Sequence, residues 1–435
     1  MPRIGVAGAG AWGTALAVVA ARSGHQVELW GRDRSLIEHV AAARENRAYL
    51  PGVILPEAIR PTPVLADLAA ADALLLAVPA QTVRGLVGGL PPVRGPLVLA
   101  AKGLERASGL RLSEVVLAQR PAAAVAVLSG PSFAVEVGLG LPTAVTVAAT
   151  DLELARSLAE LLASPAFRPY PSDDLLGVEL AGALKNVVAI AAGITMGKGL
   201  GENARASLIT RGLAELTRLA LALGARRATL MGLAGLGDLL LTATSLTSRN
   251  TSFGFALAKG RSADELMAAG AKLSEGAFTA EAACRLGERA GVELPIAEAV
   301  RAIVAGEMDV DSAIGALLAR RETTPAAVGL GSRIGSRIGS GPRAGTGSAA
   351  GAAVGWVSST SAGTPQATKS EANQSHDLRT MAPRVHGCRG PGGRASACAA
   401  QTHGSAPIEQ AAVPSLTPRR PAAGRETVRR LAAGL

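Results

Sequence analysis

The sequence predicts an α/β protein: a mostly parallel sheet covered by helices, then an all-helical domain, then a disordered tail. Three observations carry this expectation. Short all-apolar runs alternate with helical segments as far as about Tyr170, the pattern of strands buried on both faces. Beyond Tyr170 a spacing of three to four residues takes over, as in Leu208, Leu213, Leu216, Leu219, Ala220 and Leu223. From Gly331 the chain turns rich in Gly, Ser and Pro.

Residues 3–7 read as a buried strand, 8–13 as a turn and 14–22 as an Ala-rich helix. Gly24 breaks that helix, and 26–30 form a second strand, completing a β-turn-α-β unit. Ser35 is the expected cap of a helix running to about Glu45. Residues 73–78, 97–100, 125–128 and 144–147 are further strand-length apolar runs. Helices are expected over 175–192, 204–223, 262–267, 279–290 and 295–305, with Ser172–Asp174 as a cap cluster for the first. The resulting division is a sheet domain over 1–174, a helical domain over 175–325 and a low-complexity tail over 331–435.

The chain has 435 residues and a formal net charge of +10, but residues 331–435 hold 13 basic and 4 acidic groups. The preceding 330 residues are nearly neutral. The tail contains 16 Gly, 12 Ser and 8 Pro against only 12 Ile, Leu, Val and Phe, too little apolar surface to offset chain entropy. Arg419-Arg420 and Arg429-Arg430 are the best support for a tail that binds nucleic acid or a membrane surface. Aromatics at 2% of the chain weigh against single-strand or RNA binding, which needs stacking platforms, and no nucleic-acid partner is expected.

Three cysteines exclude a disulfide scaffold and fit a reducing, cytoplasmic setting. Cys284 reads as a core residue. Cys388 and Cys398, with His386 and His403, fit no standard zinc-finger spacing, so no metal is expected. The first twenty residues have the apolarity of a secretory leader, but Gly5, Gly8, Gly10 and Gly13 interrupt them in a pattern of their own. The apolar stretch over 175–194 contains Glu179, Lys185 and Asn186 and reads as a buried helix, not a membrane span.

Gly8-Ala9-Gly10-Ala11-Trp12-Gly13 follows a strand and opens a helix, the setting a dinucleotide turn requires. Gly8 permits the tight turn, Gly10 lets backbone approach a pyrophosphate, and Gly13 lets helix and strand pack closely. The helix N-terminus adds unpaired N–H groups and partial positive charge. The second strand ends Trp30-Gly31-Arg32-Asp33-Arg34, where an acidic residue would bond ribose hydroxyls. The first charge is basic. Arg32 and Arg34 suit a 2′-phosphate and favour NADP(H) or dual use, while Asp33 leaves NAD(H) open.

Ala101-Lys102-Gly103 and Ser129-Gly130-Pro131-Ser132-Phe133-Ala134 each follow an apolar strand, where ligands sit in an open α/β sheet. A lysine there can neutralise a phosphate or carboxylate. Lys185 stands inside an apolar helix; burial beside a positive group would lower its pKa and make it a usable acid or base, whereas a helix-edge lysine would simply snorkel. Asp238 and Thr242 share a face if their segment is helical, although Asp238 after a glycine pair also suits a helix cap. Arg249, between Ser248 and Asn250, suits phosphate.

Taken in order, GAGAWGTALA, AKGLE, SGPSFA, LKNVVAIAAGI, NARASLITRGLAE, GLGDLLLT, SRN and Glu275-Gly276 resemble the bacterial-type NAD(P)-dependent glycerol-3-phosphate dehydrogenases over about residues 3–320. The resemblance implies an N-terminal Rossmann domain, a helical substrate domain and a homodimer. It implies reversible hydride transfer between NAD(P)H and dihydroxyacetone phosphate, giving sn-glycerol 3-phosphate for glycerophospholipid synthesis. Lys185 would transfer the proton, with Lys102 near the same oxygen and Asp238 and Thr242 in support. The substrate would meet Lys102, Gly130, Ser132, Lys185, Asp238, Ser248, Arg249 and Asn250. The cofactor would meet Gly8, Gly10, Ala11, Trp12, Gly13, Arg32, Lys102, Ala134, Arg249, Leu273 and Glu275. Departures are Ala11 where relatives often have Ser, Ser132 where they often have Thr, and Ala80 in place of a polar residue after Pro79. A two-domain 2-hydroxyacid or 6-phosphogluconate-type dehydrogenase is the alternative enzyme; Lys102 and the Ser248-Arg249-Asn250 cluster favour the phosphorylated triose.

Overall fold

Alternation of apolar runs with helical segments places nearly every early element. In the computed structural model, which describes residues 1–268 and 274–320, β1 is Arg3–Ala7, α1 Ala11–Arg22 and β2 Gln26–Trp30. Next come α2 (Arg34–Ala43), β3 (Ile59–Thr62), β4 (Ala73–Leu76), α3 (Val83–Gly89), β5 (Leu97–Leu99) and α4 (Leu112–Gln119). The layer closes with β6 (Val125–Ser129), α5 (Ala134–Leu139), β7 (Thr143–Ala149), α6 (Leu152–Leu162) and β8 (Phe167–Ser172).

These strands form one sheet in the order β3-β2-β1-β4-β5-β6-β7-β8. The first six follow the dinucleotide-binding order, with the crevice where β1 leads to β2 on one side and β4 on the other. All pairings are parallel except β6 with β7. The reversal follows from chain length: α5 is a short helix that leaves β6 and re-enters beside it without crossing the sheet.

Several expectations are corrected. Helix α1 begins at Ala11, within the stretch read as a turn, so the glycine turn is shorter than expected. Asp33, not Ser35, caps α2: its carboxylate accepts the Leu36 N–H at 3.1 Å. That helix ends at Ala43, where Arg44 adopts a left-handed φ of 52°. Strands β3 and β8 escaped the apolar-run criterion because each contains proline, tolerated where the ladder is incomplete at a sheet edge.

The helical layer starts with α7 (Leu175–Gly197), capped by Asp174, whose carboxylate accepts the Gly177 N–H. By length and composition α7 would span a bilayer, yet 94% of its apolar window is buried inside the protein, as expected of a central core helix. Around it stand α8 (Glu202–Ala222), α9 (Arg227–Met231), a π-helical turn over Leu233–Gly237, α10 (Asp238–Ala243), α11 (Arg249–Ala258) and α12 (Ala263–Ala268). Then come α13 (Glu275–Ala290), α14 (Pro295–Val304) and α15 (Val310–Ala319). Periodicity had suggested no helix over α9, α10, α11 or α15; α9 and α10 are too short to display a full apolar stripe.

Helix α11 lies unusually close to α7. A Cβ on Gly193 would stand 2.0 Å from the Thr251 carbonyl oxygen, and one on Gly254 1.9 Å from that of Ile190. Only glycine permits this approach of backbones. It sets the start of α11 beside the middle of α7, where Lys185 stands. The first of the two layers is fastened to α7 by Glu179, whose buried carboxylate accepts the Ser113 N–H and hydroxyl at 2.8 and 2.6 Å at the start of α4.

Candidate active site

Lys185 projects from α7 and is 6% exposed. Its ammonium donates to Asp238 Oδ1 at 2.5 Å and to Thr242 Oγ1 at 2.6 Å. Thr242 in turn donates to the Asp238 carbonyl at 2.7 Å, one turn back along α10. That bond consumes the hydroxyl proton and leaves an oxygen lone pair facing Lys185. An ammonium has three N–H donors. Two are held by these partners, which aims the third.

The second carboxylate oxygen of Asp238 accepts from Lys102 Nζ at 2.6 Å. Lys102 also donates to the Gly130 carbonyl at 3.1 Å. Two ammoniums therefore share one buried carboxylate, a cluster of net charge +1. Asp238 is the first residue of α10, delivered there by the preceding π turn, and does not cap the helix. π turns of this kind recur where a side chain must be placed off the regular helical track.

Burial is the largest influence on Lys185 and lowers its pKa; the Asp238 charge raises it, and Lys102 and Arg249 lower it further, leaving it at about 8. The second ammonium expected from the sequence does contribute, but desolvation dominates. Close approach of the sheet makes this possible. Gly182, one turn before Lys185, has no Cβ; one there would sit 2.6 Å from Ser129 Oγ and 3.7 Å from Lys102 Cγ. Gly130 takes a φ of +148°, and a Cβ on it would meet Val145 Cα at 2.8 Å. Ser132 Oγ donates to the Gly130 carbonyl at 2.9 Å, within the same turn as Lys102's acceptor.

Ser248 caps α11, its hydroxyl oxygen accepting the Thr251 N–H, and is buried. Arg249 is exposed at the first position of the helix. Asn250 is buried and bonded within the protein: Nδ2 donates to Asn186 Oδ1 at 2.9 Å, and Oδ1 accepts from Ser274 Oγ at 2.7 Å and Gly276 N at 3.0 Å. Of the three residues read as a phosphate cluster, two thus carry structural bonds, and Arg249 alone has an open charged group.

Gly8 and Gly13 meet the steric demands expected of them. Gly8 has a φ of +120°, and its Cβ would lie 2.7 Å from the Ala77 carbonyl oxygen. A Cβ on Gly13 would lie 1.8 Å from Gly8 O. A Cβ on Gly10 would meet nothing within 4 Å, so this glycine faces open space. Neither a side-chain cap nor an acidic residue occupies the first turn of α1. Trp12 Nε1 is buried there with no partner among the described residues. Arg32 is exposed at the end of β2, and Ala134 opens α5. Glu275, at the start of α13, accepts the Ala80 N–H at 3.1 Å through Oε1, while Oε2 is buried and has no partner among the described residues. Desolvation raises its pKa. Leu273 lies outside the described residues, as do Cys388 and Cys398. Cys284 is buried, as expected of a core residue, and burial pushes its thiol up to about 12.

The sequence reading missed Asn186 and Asn46. Asn46 Nδ2 donates to the Ala9 carbonyl at 2.9 Å and to Thr14 Oγ1 at 2.8 Å, pinning the glycine turn from a distant loop. The signal available for Asn186 was a polar residue directly after Lys185 in a largely apolar helix. A separate cavity of about 800 Å³ among α11, α13 and α15, bordered by Phe278, Ile303 and Met308, is distant from this chemistry in its lining residues. Its rim charges are largely mutually paired, as in Arg301–Glu307 and Lys198–Asp311.

Residues 3–155 match the family model described as NAD-dependent glycerol-3-phosphate dehydrogenase N-terminus, and residues 174–315 match the C-terminus model. The chain belongs to the NAD-dependent glycerol-3-phosphate dehydrogenase family. It is 54% identical over 321 residues to the glycerol-3-phosphate dehydrogenase of Parvibaculum lavamentivorans, covering 73% of this chain and 96% of that one. The enzyme of the same name from Methylobacterium radiotolerans is 56% identical with the same coverage. The crystal structure of glycerol-3-phosphate dehydrogenase from Coxiella burnetii superposes with a TM-score of 0.70 at 38% identity, over 73% of this chain and 99% of that one. The glycerol-3-phosphate dehydrogenase match thus spans both the sheet layer and the helical layer that meet at Lys185.

Proposed function

We propose that the chain is an NAD(P)-dependent sn-glycerol-3-phosphate dehydrogenase that interconverts dihydroxyacetone phosphate and sn-glycerol 3-phosphate, feeding glycerophospholipid synthesis. The observation that carries this reading is the buried Lys185–Asp238–Lys102 cluster at the carboxyl ends of the sheet strands. Its named relatives support it independently.

The residues present fit a dinucleotide. Open space at Gly10, an uncapped helix N-terminus and the orphaned Trp12 Nε1 and Glu275 Oε2 are groups a bound ligand would satisfy. Gly8, Gly10, Ala11, Trp12 and Gly13 would hold the pyrophosphate end, Arg32 the adenosine end, and Ala134, Arg249, Leu273 and Glu275 the remainder. NAD(P)H, when bound, supplies the hydride. The protein's part is to supply and place the proton. Lys185, aimed by Asp238 and Thr242, donates its third N–H to the C2 carbonyl oxygen of the triose as that oxygen gains negative charge. Lys102 stabilises the same developing charge, and Asp238 keeps both ammoniums in place. Oxidation runs the steps backward: neutral Lys185 takes the C2 hydroxyl proton. Gly130 and Ser132 line the substrate, and Ser248, Arg249 and Asn250 receive its phosphate.

In this reading residues 1–174 bind the cofactor, 175–325 bind the triose, and the enzyme works as a cytoplasmic homodimer. The test is NADH or NADPH oxidation with dihydroxyacetone phosphate. Turnover is expected, and Lys185→Ala should lower kcat at least about a thousandfold while leaving cofactor affinity nearly unchanged. No turnover by the unaltered protein with either cofactor would overturn the reading.

A further inference from the structure

We infer that Asn186 is a positioning residue for the anionic end of the substrate, acting through Asn250. The inference rests on the reading above and concerns how the phosphate site is built.

The chain of bonds starts at a backbone N–H. Gly276 N can only donate, and it donates to Asn250 Oδ1 at 3.0 Å. Ser274 Oγ donates to the same oxygen at 2.7 Å, so both of its lone pairs are used. Asn250 must therefore keep its oxygen toward α13 and turn its NH₂ toward α7. There the NH₂ meets Asn186 Oδ1 at 2.9 Å. Flipping the Asn250 amide would set two donors against each other at Gly276 and two oxygens against each other at Asn186. The polarity of the whole ladder is thus dictated by one main-chain group that cannot change.

Asn186 is what holds the second end. Both asparagines are buried, so a lost partner is not replaced by water. The packing admits no slack: a Cβ on Gly276 would stand 2.6 Å from the Asn186 carbonyl oxygen and 2.9 Å from Asn250 Oδ1. One N–H of Asn250 is bound to Asn186, and its direction fixes that of the other in the plane of the amide. Asn250 sits beside exposed Arg249 at the start of α11, where the partial positive charge of the helix favours an anion. Asn186 also follows Lys185 directly on α7. The ladder Asn186–Asn250–Ser274 therefore ties the proton-transferring helix, the phosphate-facing helix and the helix bearing Glu275 into one fixed spacing. Arg249 supplies charge to the phosphate; Asn186 supplies the orientation of the neighbouring amide.

The test compares dihydroxyacetone phosphate with dihydroxyacetone, which has the same carbonyl and no phosphate. The ratio of kcat/KM for the two substrates is independent of how much enzyme is correctly folded. Asn186→Leu, which keeps the branching at Cγ but lacks an acceptor, should lower this ratio at least about tenfold, mainly through KM for the phosphorylated substrate. Asn186→Asp keeps an oxygen facing Asn250 and should hold the ratio within about threefold of the unaltered enzyme. The double variant Asn186→Leu with Asn250→Ala should show a ratio no lower than Asn250→Ala alone, because both changes remove one interaction. An unchanged ratio in Asn186→Leu, or full additivity in the double variant, would overturn the inference. Absence of turnover by the unaltered enzyme would instead reject the underlying function.

Discussion

Lys185 and Asp238 lie 2.5 Å apart, each almost wholly buried, on helices whose sequence positions differ by 53 residues. The carboxylate holds the Lys185 proton on, against desolvation and two nearby cations. The same carboxylate also bonds Lys102. Removing it should therefore alter the acid itself and the spacing of both lysines.

The pH dependence follows. Lys185 has its pKa lowered to about 8, so it is protonated below that value. Ketone reduction needs the ammonium, and its kcat/KM should fall as pH rises through about 8. Alcohol oxidation needs the neutral amine and should rise over the same range. Asp238→Asn withdraws the influence that raises the pKa, so both limbs should move to lower pH, with kcat for reduction near neutrality down about a hundredfold. Rate profiles in both directions check this; limbs that stay in place would show that Lys185 is not the titrating group.

The three glycines of the first turn should respond differently to Ala. Gly13→Ala would put a Cβ 1.8 Å from Gly8 O, so the fold itself should suffer, by about 1–3 kcal/mol or more in thermal or denaturant unfolding. Gly8→Ala adds a strained positive φ to a backbone clash and should behave likewise. Gly10→Ala meets open space and should leave the melting temperature nearly unchanged. Its effect should appear in NAD(P)H titration, as affinity weakened roughly tenfold by the methyl group in the phosphate path. Equal melting-temperature losses at all three positions would contradict the assignment of Gly10 to the cofactor.

Cofactor preference should turn on Arg32. Asp33 is committed to capping α2, and Arg34 pairs loosely with Glu38 at 3.8 Å on the same helix. Exposed Arg32 is the cation at the end of β2 left to meet a 2′-phosphate. Arg32→Ala should reduce kcat/KM for NADPH about tenfold relative to NADH. Parallel losses for the two cofactors would place Arg32 away from the 2′ position.

The basic tail should be dispensable for chemistry. Every residue bonded to Lys185, Lys102 or Asp238 precedes Thr244. A chain ending at Leu330 should keep kcat and KM within about twofold of the full chain for both cofactors. Salt-sensitive retention on immobilised nucleic acid that vanishes on the same truncation would assign the tail a separate binding role.

The sequence carried a good deal of this. The strands β1, β4, β5, β6 and β7 were legible because each contains a local apolar run, and β2 because it follows the helix that Gly24 breaks. The glycine turn was legible because each glycine answers a local steric demand. Strands β3 and β8 were not, since proline at an edge breaks the run. Nor was the antiparallel turn of β7, which depends on where the chain re-enters the sheet. Lys185, Lys102, Asp238 and Thr242 were all identifiable as chemically apt residues in ordered motifs. Their joint arrangement was not, because Asp238 meets Lys102 across 136 positions of sequence.

What the sequence alone determined was the succession of a sheet layer by a helical layer and the inventory of reactive groups, since both follow from short-range patterns of polarity, glycine and proline. The tertiary structure decided what those groups are. It buried Lys185, which lowers its pKa more than any neighbour does. It gave one carboxylate to two lysines, and it set Asn250 in the middle of a buried ladder beginning at Asn186. Burial and the sharing of a hydrogen-bond partner are properties of packed surfaces, and no local pattern in a chain encodes which distant surface it will meet.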